Sequence, residues 1–303
     1  NMKIIVTTYP FTETDSYLNS YNTIYNQKGR KLTKQELMTL LSEHNPDVII
    51  AGTEMYNSEV LDLCPNLKLI SRVGIGLDSV DLQECHNRGI HVANTPDAPT
   101  RAVAEMTVSQ IIMMLRRLDR VGPNTKSGGW NRYIGRELGS MTVGIVGYGR
   151  IGRMVTGMLE PMCGSTMVTD TDEDAMELAA LEGSQRSALE DIMKKCDVVS
   201  IHVPGDKNMN LVGARELSMA KSDLVLINNS RGGIVNEDDL FDWLSANPDA
   251  SCALDVFVEE PYNGRLLTLD NLFATPHLGS CTVTSRTAME RESIANIKKL
   301  FGR

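Results

Sequence analysis

The sequence predicts an α/β protein made of two lobes, each a doubly wound parallel sheet covered by helices. Apolar runs of strand length alternate with helical patterns along the chain. At 303 residues and 42% hydrophobic content, the chain exceeds one typical domain and contains enough apolar side chains for two cores. A glycine-rich stretch near Gly128 and Gly129 divides the alternation into two series. One long single domain is the alternative.

The first series contains four apolar runs that predict strands, at residues 3–8, 47–51, 67–73 and 89–92. Thr33 and Glu36 have the spacing of a capping box, which predicts the start of a helix. A longer apolar pattern after Pro99 predicts a helix over 99–118. This helix is expected to bridge the lobes or to form a subunit interface, and core packing is the alternative.

The second series predicts six strands, at residues 142–146, 166–169, 198–203, 224–228, 253–256 and 272–275. Continuous apolar runs of this length favour strands that are buried on both faces. Such strands are typical of a parallel sheet with helices on each side.

Composition excludes several classes of partner. The net charge of -9 and the pI near 5.2 argue against a nucleic acid or an anionic membrane, which would favour clustered Lys and Arg. No apolar run approaches the roughly 20 residues of a membrane helix, so a cytoplasmic protein is expected. The six cysteines occur singly, without metal-ligand spacing, which favours reduced thiols and no metal site.

A glycine-rich turn follows the first strand of the second series. It matches the G-x-G-x-x-G pattern and consists of Gly147, Tyr148, Gly149, Arg150, Ile151 and Gly152. Because a strand precedes it and a helical pattern follows it, the turn is expected to aim free N–H groups at a pyrophosphate, where Arg150 adds a cation. The alternative is that these glycines only form a tight turn.

An acidic residue after the next predicted strand indicates which dinucleotide is bound, NAD or NADP. Asp170 follows the next predicted strand, about 20 residues after the turn, where a carboxylate accepts hydrogen bonds from the adenosine ribose hydroxyls. A 2′-phosphate would be repelled, and the acidic residues 172–174 offer no arginine to hold one. The sequence therefore predicts NAD rather than NADP, bound on a Rossmann-like lobe.

Three later strands each end at a residue suited to hydride transfer. Arg231 can clamp a carboxylate or carbonyl oxygen, His277 can move the alcohol proton, and Glu259 or Glu260 can orient the histidine. Open α/β sheets place their ligands at these carboxyl ends. The alternatives are a structural histidine, an arginine in a salt bridge and a solvated pair of glutamates.

These motifs resemble the D-isomer-specific 2-hydroxyacid dehydrogenase family over nearly the whole chain. The family patterns N-x-[AS]-R-G, L-D-V-x-x-x-E-P and P-H-[IL]-G occur in order at residues 228–232, 254–261 and 276–279. The resemblance implies that Arg231, Glu260 and His277 are catalytic. It further implies that Asp255 holds the nicotinamide carboxamide. The other cofactor-side residues it implies are His202, Val203, Pro204, Ser230 and Gly279.

The resemblance also assigns a substrate side, with domain limits at 1–95 and 280–303 for a discontinuous substrate-binding domain and 96–279 for the NAD-binding domain. Main-chain N–H groups of residues 74–76 are expected to meet the substrate carboxylate, because glycine lets amides approach an anion. The predicted substrate-binding residues are Arg72, Val73, Gly74, Ile75, Gly76 and Arg231. A homodimer is expected from the 99–118 helix and from the family.

Within the family, residues 69–78 and 276–280 are most similar to the corresponding segments of 3-phosphoglycerate dehydrogenases, and Arg72 is expected to help bind the phosphate. The alternative for Arg72 is a surface arginine at a strand end. A second phosphate-binding arginine common in such enzymes is absent, because residues 51–54 read Ala-Gly-Thr-Glu. D-3-phosphoglycerate is the first substrate expected, and hydroxypyruvate, glyoxylate or another 2-oxo acid is the alternative. A C-terminal regulatory domain and serine feedback are not expected. An NAD-sensing corepressor without turnover is the alternative from another functional class.

Overall fold

The computed structural model describes residues 2–205 and 207–302, and these divide into two compact units. Unit 2 is the continuous segment Thr100–Gly279. Unit 1 consists of the described residues on either side of that segment.

Unit 1 contains a five-stranded sheet in which every neighbouring pair of strands is parallel. The strands are β1 (Lys3–Val6), β2 (Asn22–Tyr25), β3 (Val48–Ala51), β4 (Leu69–Arg72) and β5 (His91–Ala93), in the order β2-β1-β3-β4-β5. The first helices are α1 (Ser16–Asn19), α2 (Lys34–His44), α3 (Ser58–Leu61) and α4 (Leu82–Asn87). The sequence did not predict β2, because this edge strand has no fully buried residue and therefore no apolar run.

The predicted capping box at the start of α2 is confirmed. The Thr33 hydroxyl accepts a hydrogen bond from the Glu36 amide at 3.3 Å, and the Glu36 carboxylate accepts one from the Thr33 amide at 2.9 Å. Leu37 and Leu41 then lie on the buried face of the helix. The helix ends at His44, and the next residue, Asn45, adopts a left-handed backbone and donates its amide to the Leu41 carbonyl.

Unit 2 contains a seven-stranded parallel sheet. Its strands are β6 (Thr142–Val146), β7 (Ser165–Thr169), β8 (Gln185–Arg186), β9 (Val198–Ile201), β10 (Val225–Asn228), β11 (Ser251–Leu254) and β12 (Leu272–Ala274). The order β12-β11-β10-β9-β6-β7-β8 reverses direction between β6 and β9, where doubly wound sheets bind ligands. The predicted fold class is confirmed in both units. The edge strand β8 escaped prediction because its two residues are both exposed.

The described part of unit 2 contains seven helices, and apolar side chains pack on both faces of the sheet. The helices are α5 (Thr100–Arg116), α6 (Leu118–Lys126), α7 (Arg150–Leu159), α8 (Glu173–Leu181), α9 (Leu189–Lys195), α10 (Ala214–Met219) and α11 (Glu237–Ala246). Short 3₁₀ turns lie at Leu138–Ser140 and Arg265–Thr268.

The predicted helix over 99–118 was too long. It ends at Arg116, because Arg117 adopts a left-handed backbone with φ of 51°. The Arg117 side chain is buried and donates to the Ala250 carbonyl at 3.2 Å. No glycine or proline marks this break in the sequence, so tertiary burial of the arginine decides it.

The last helix, α12 (Val283–Phe301), packs against β3 and β4 of unit 1. The Ser71 hydroxyl of β4 donates to the Ser293 carbonyl at 2.9 Å. Fully buried Glu290 accepts the amides of Thr12 and Glu13, each at 2.8 Å. These hydrogen bonds join the two sequence segments of unit 1.

The cysteines are free thiols, and burial raises the pKa of Cys64 to about 12 and of Cys85 to about 11. These thiols are therefore poor nucleophiles at neutral pH. Among the residues that the structure describes, no group of His, Cys, Asp or Glu is arranged to hold a metal ion. No helix in the described ranges is both long enough and apolar enough to cross a membrane.

Thr33→Ala is expected to lower the free energy of unfolding of unit 1 by about 1 kcal/mol, because the first turn of α2 loses its side-chain cap. Urea unfolding followed by circular dichroism measures the loss. Thr39→Ala changes an exposed threonine of the same helix and is expected to leave stability nearly unchanged. Equal stability of the two variants would contradict the role of the cap.

Candidate active site

The first and third glycines of the turn between β6 and α7 are required by close packing. Gly147 has a φ of 95°, and a Cβ built there would lie 2.6 Å from the carbonyl oxygen of His202. A Cβ at Gly152 would lie 2.0 Å from the carbonyl oxygen of Gly147. A larger residue at Gly147 would therefore collide with the chain that follows β9, and one at Gly152 would push α7 away from the end of β6.

The second glycine opens onto empty space. Gly149 caps α7 without a side-chain hydrogen bond, and nothing lies within 4 Å of a Cβ built on it. The first helical residues, Arg150 and Ile151, therefore begin a ten-residue helix whose N-terminus is not covered by a capping side chain. Helix N–H groups and the positive end of the helix dipole favour phosphate at such a place. The turn fits the pyrophosphate of a dinucleotide.

Asp170 is held beside this turn. One carboxylate oxygen accepts the amide of Tyr148 at 2.6 Å, and the other accepts the amide of Asp172 at 2.9 Å. The Tyr148 hydroxyl in turn donates to Glu182 at 2.6 Å. Each Asp170 oxygen retains a second lone pair, so the carboxylate is oriented and can still accept ribose hydroxyls. This arrangement fits the predicted role of Asp170.

His202, Val203 and Pro204 follow β9 on the other side of the switch point. The His202 amide donates to the Val146 carbonyl at 2.7 Å, and Val203 packs against Gly147. The His202 Nε2 lies 2.8 Å from the Ser200 hydroxyl. Burial lowers the pKa of His202 to about 4, so its imidazole is neutral at physiological pH. The structure thus brings these predicted cofactor residues against the glycine turn.

Arg231 is positioned by the asparagine that ends β10. The Asn228 side chain donates to the Arg231 carbonyl at 2.9 Å and accepts the Ser230 amide at 3.1 Å. The Ser230 hydroxyl also donates to Asn228, at 2.7 Å. A Cβ at Gly205 would lie 3.2 Å from Cγ of Arg231, so the aliphatic part of the arginine packs against the loop that follows β9. Sequence reasoning gave Asn228 no role.

Buried hydrogen bonds connect the turn after β10 to α5. The Asn229 amide donates to the Thr107 hydroxyl at 2.9 Å and to Gln110 Oε1 at 2.7 Å. All three side chains are buried. The sequence could not reveal this contact, because Gln110 and Asn229 lie far apart in the chain and belong to no common motif.

His277 and Glu260 form a pair. Glu260 Oε2 lies 2.8 Å from His277 Nδ1, and Glu260 Oε1 accepts the Phe257 amide at 3.1 Å. The glutamate is therefore oriented by its own loop, and its carboxylate fixes the ring of the histidine. With Nδ1 turned to Glu260, Nε2 is the ring nitrogen placed for proton transfer to a substrate.

Asp255 holds the loop that carries His277. Its carboxylate is buried and accepts the amides of Leu278 and Gly279, each at 2.7 Å, and the hydroxyl of Thr275. These bonds support His277 in a left-handed backbone, with a φ of 56°, that non-glycine residues rarely adopt. The predicted contact of Asp255 with the nicotinamide remains a prediction. The structure adds a positioning role.

The predicted substrate loop lies at the end of β4 in unit 1. The Val73 amide pairs with the Ala51 carbonyl, and the Arg72 guanidinium donates to the Val73 carbonyl. Gly74, with a φ of 143°, donates its amide to the Thr95 hydroxyl at 2.8 Å. That bond removes Gly74 from the N–H groups expected to meet the substrate carboxylate. Ile75 and Gly76 remain as the predicted donors.

A family model described as "D-isomer specific 2-hydroxyacid dehydrogenase, NAD binding domain" matches residues 108–279, which is more than half of the chain. The match covers the glycine turn, Asp170 and the three strand ends that carry Arg231, Glu260 and His277. The prediction of NAD as the cofactor is confirmed by this match.

Individual relatives are similar along most of the chain. A D-3-phosphoglycerate dehydrogenase of Methanocaldococcus jannaschii is 31% identical over 89% of this chain and 52% of its own length. The chain thus spans about half the length of that relative. A hydroxypyruvate reductase of Thermotoga maritima is 30% identical over 89% of this chain and 88% of its own length. A crystal structure of a Thermus thermophilus protein has a TM-score of 0.87 and 27% identity, covering 100% of this chain and 98% of the other.

Acid is expected to destabilise the protein through His202. Its folded pKa of about 4 lies below the ordinary 6.5, so the unfolded chain binds more protons between these pH values. The contribution of neutral His202 to the free energy of unfolding is fully present above pH 6.5. It falls by about 2 kcal/mol by pH 4.5. Urea unfolding at pH 7 and pH 4.5 measures this loss.

His202→Gln should remove that part of the pH dependence, whereas His91→Gln, at an exposed histidine of β5, should retain it. A His202→Gln protein with the same acid sensitivity as the unsubstituted protein would refute this assignment.

Proposed function

This chain belongs to the D-isomer-specific 2-hydroxyacid dehydrogenase family, and we propose that it interconverts a D-2-hydroxy acid and its 2-oxo acid by hydride transfer with NAD. The observation that carries the proposal is the 2.8 Å contact between His277 Nδ1 and Glu260 Oε2. This pair lies at the carboxyl edge of the same sheet as the glycine turn. An acid–base group and a dinucleotide cradle on one edge suit oxidation of an alcohol.

His277 moves the proton in the proposed reaction. The glycine turn and Asp170 would hold NAD, which would supply the hydride acceptor for oxidation of the alcohol and, as NADH, the hydride donor for reduction. His277 Nε2 takes the hydroxyl proton during oxidation and gives it back during reduction. Glu260 keeps Nδ1 as the hydrogen-bonded nitrogen and stabilises the imidazolium formed when the proton arrives.

Arg231 orients the acid. A guanidinium offers planar paired donors that match a carboxylate, and the same donors polarise the carbonyl that receives a hydride. The contacts of Asn228 and Gly205 fix the backbone and the aliphatic part of Arg231 before substrate arrives. The preorganised side chain then loses little freedom on binding.

The proposal names two candidate substrates. D-3-phosphoglycerate is the first expected from the sequence, and relatives named D-3-phosphoglycerate dehydrogenase support it. Hydroxypyruvate and glyoxylate are the second, supported by relatives named for the reduction of those acids. Each candidate carries a carboxylate and, on the adjacent carbon, the hydroxyl or oxo group that Arg231 and His277 would contact.

Turnover with NADH and a panel of 2-oxo acids tests the proposal. His277→Ala is expected to lower kcat by about 10²- to 10⁴-fold, because the proton donor is lost. His91→Ala, at an exposed histidine of unit 1, should retain full activity. Absence of turnover with every acid of the panel, while NADH still binds, would favour the corepressor-like binding role instead.

We also propose a homodimer. The segment between α6 and β6 exposes three large apolar side chains, since Trp130 is 83%, Tyr133 51% and Ile134 94% exposed. Apolar side chains clustered in this way are typical of a surface covered by a partner. A second copy of the chain is the partner expected from the family.

Light scattering is expected to give twice the 33.4 kDa of the single chain. Replacing Trp130 and Ile134 together by serine should shift the protein to the single-chain mass. Leu181→Ser, at an apolar residue of α8 that is 86% exposed, should leave the dimer intact. A single-chain mass for the unsubstituted protein at all concentrations would end the proposal of a dimer.

A further inference from the structure

A buried carboxylate lies at the substrate edge of unit 1. Glu54, which follows β3, is only 4% exposed, and Thr7 and Tyr56 beside it are fully buried. The Thr7 hydroxyl lies 2.7 Å from the Tyr56 hydroxyl and 3.3 Å from Glu54 Oε2. The Tyr56 hydroxyl lies 3.4 Å from the same carboxylate oxygen. Neither the fold nor the proposed hydride transfer requires an acid at this position.

The Glu54 carboxylate lies close to Gly52, but its hydrogen bonds to Thr7 and Tyr56 are long. A Cβ built on Gly52 would lie 2.7 Å from Glu54 Oε2, so a side chain at position 52 would displace the glutamate. The two hydroxyl contacts are longer than the 2.5–2.7 Å that is typical of an O–H donor to a carboxylate. Thr7 and Tyr56 are neutral donors, so neither of them neutralises the charge of the carboxylate.

Arg72 is the nearby cation. It ends β4, in register with Ala51 at the end of β3. Burial raises the pKa of the Tyr56 hydroxyl well above its usual 10, the charge of Glu54 raises it further, and the charge of Arg72 lowers it. The strand pairing brings Arg72 and Glu54 to neighbouring strand ends, because Val73 donates its amide to the Ala51 carbonyl and Gly52, the next residue, lies against the Glu54 carboxylate. The positive charge on which a phosphate group would depend therefore has a buried carboxylate at the adjoining strand end.

We infer that Glu54 is a specificity-determining residue that disfavours phosphorylated substrates. The inference rests on the proposed function, which places the substrate at residues 72–76. A phosphate dianion near Arg72 would meet the repulsion of Glu54, and at an effective dielectric constant of about 20 a unit charge within about 10 Å changes binding by tenfold or more. A substrate acid that carries a hydroxyl group or a hydrogen in place of the phosphate avoids this repulsion. Glu54 thus favours hydroxypyruvate or glyoxylate over the phosphorylated acid.

The test compares Glu54→Gln with the unsubstituted protein in reduction of 3-phosphohydroxypyruvate and hydroxypyruvate by NADH. Glu54→Gln removes the charge at nearly constant volume and should raise the ratio of kcat/KM for the phosphorylated over the unphosphorylated acid by about tenfold. Glu54→Asp keeps the charge and should keep the original preference. Glu59→Gln makes the same charge change on exposed α3 and should leave the ratio unchanged.

A binding measurement separates failure of this inference from failure of the proposed function. Calorimetric titration of the NAD-loaded protein with D-3-phosphoglycerate and with D-glycerate should show the same tenfold change of ratio in Glu54→Gln, whether or not turnover occurs. Glu54→Ala is a second charge-free variant if the glutamine variant does not fold. A ratio within twofold of the unsubstituted protein in the folded charge-free variant would overturn the role of Glu54. Absent turnover alone would count against the proposed reaction.

Discussion

The candidate catalytic residues of unit 2 depend on the carboxylate of Asp255. This buried group accepts hydrogen bonds from Thr275, Leu278 and Gly279, and so it fixes both sides of His277. A buried charge is costly unless it is hydrogen-bonded, and three donors meet that cost here. In return, the histidine is held in a left-handed backbone that the local sequence would not adopt unaided. The fixed backbone of this loop places the His277 ring within hydrogen-bond distance of Glu260.

Side chains also fix the backbone after the other strands that carry candidate catalytic residues. Asn228 turns the chain after β10 and fixes the backbone of Arg231, while Glu260 accepts an amide of its own loop, from Phe257. In each case a polar side chain at or just after the end of a strand bonds to backbone groups within a few residues. Parallel strands bring these turns to one edge of the sheet. Residues from distant parts of the sequence are thereby brought together without a long ordered loop.

The sequence predicted these features to the extent that they are local. Buried strands appeared as apolar runs, and the capping box at Thr33 and the glycine turn had fixed spacings. The strands β2 and β8 were missed because edge strands with exposed residues carry no apolar signal. Contacts between buried polar groups were also missed, as for Asn229 with Gln110. A sequence pattern can indicate that a residue is buried, but it does not identify the partner that satisfies it.

Electrostatics explains why substrate choice can be separate from catalysis in this chain. With a net charge of -9, the protein has no general attraction for anions, and a carboxylate substrate must be held by short-range donors. The candidate catalytic residues meet groups that all 2-hydroxy acids share, so they cannot distinguish a phosphate at the far end of a substrate. In the proposed reaction, that discrimination is assigned to charges in unit 1. Because Arg72 and Glu54 carry opposite charges at neighbouring strand ends, we expect the loss of either charge to change the preference for a phosphate.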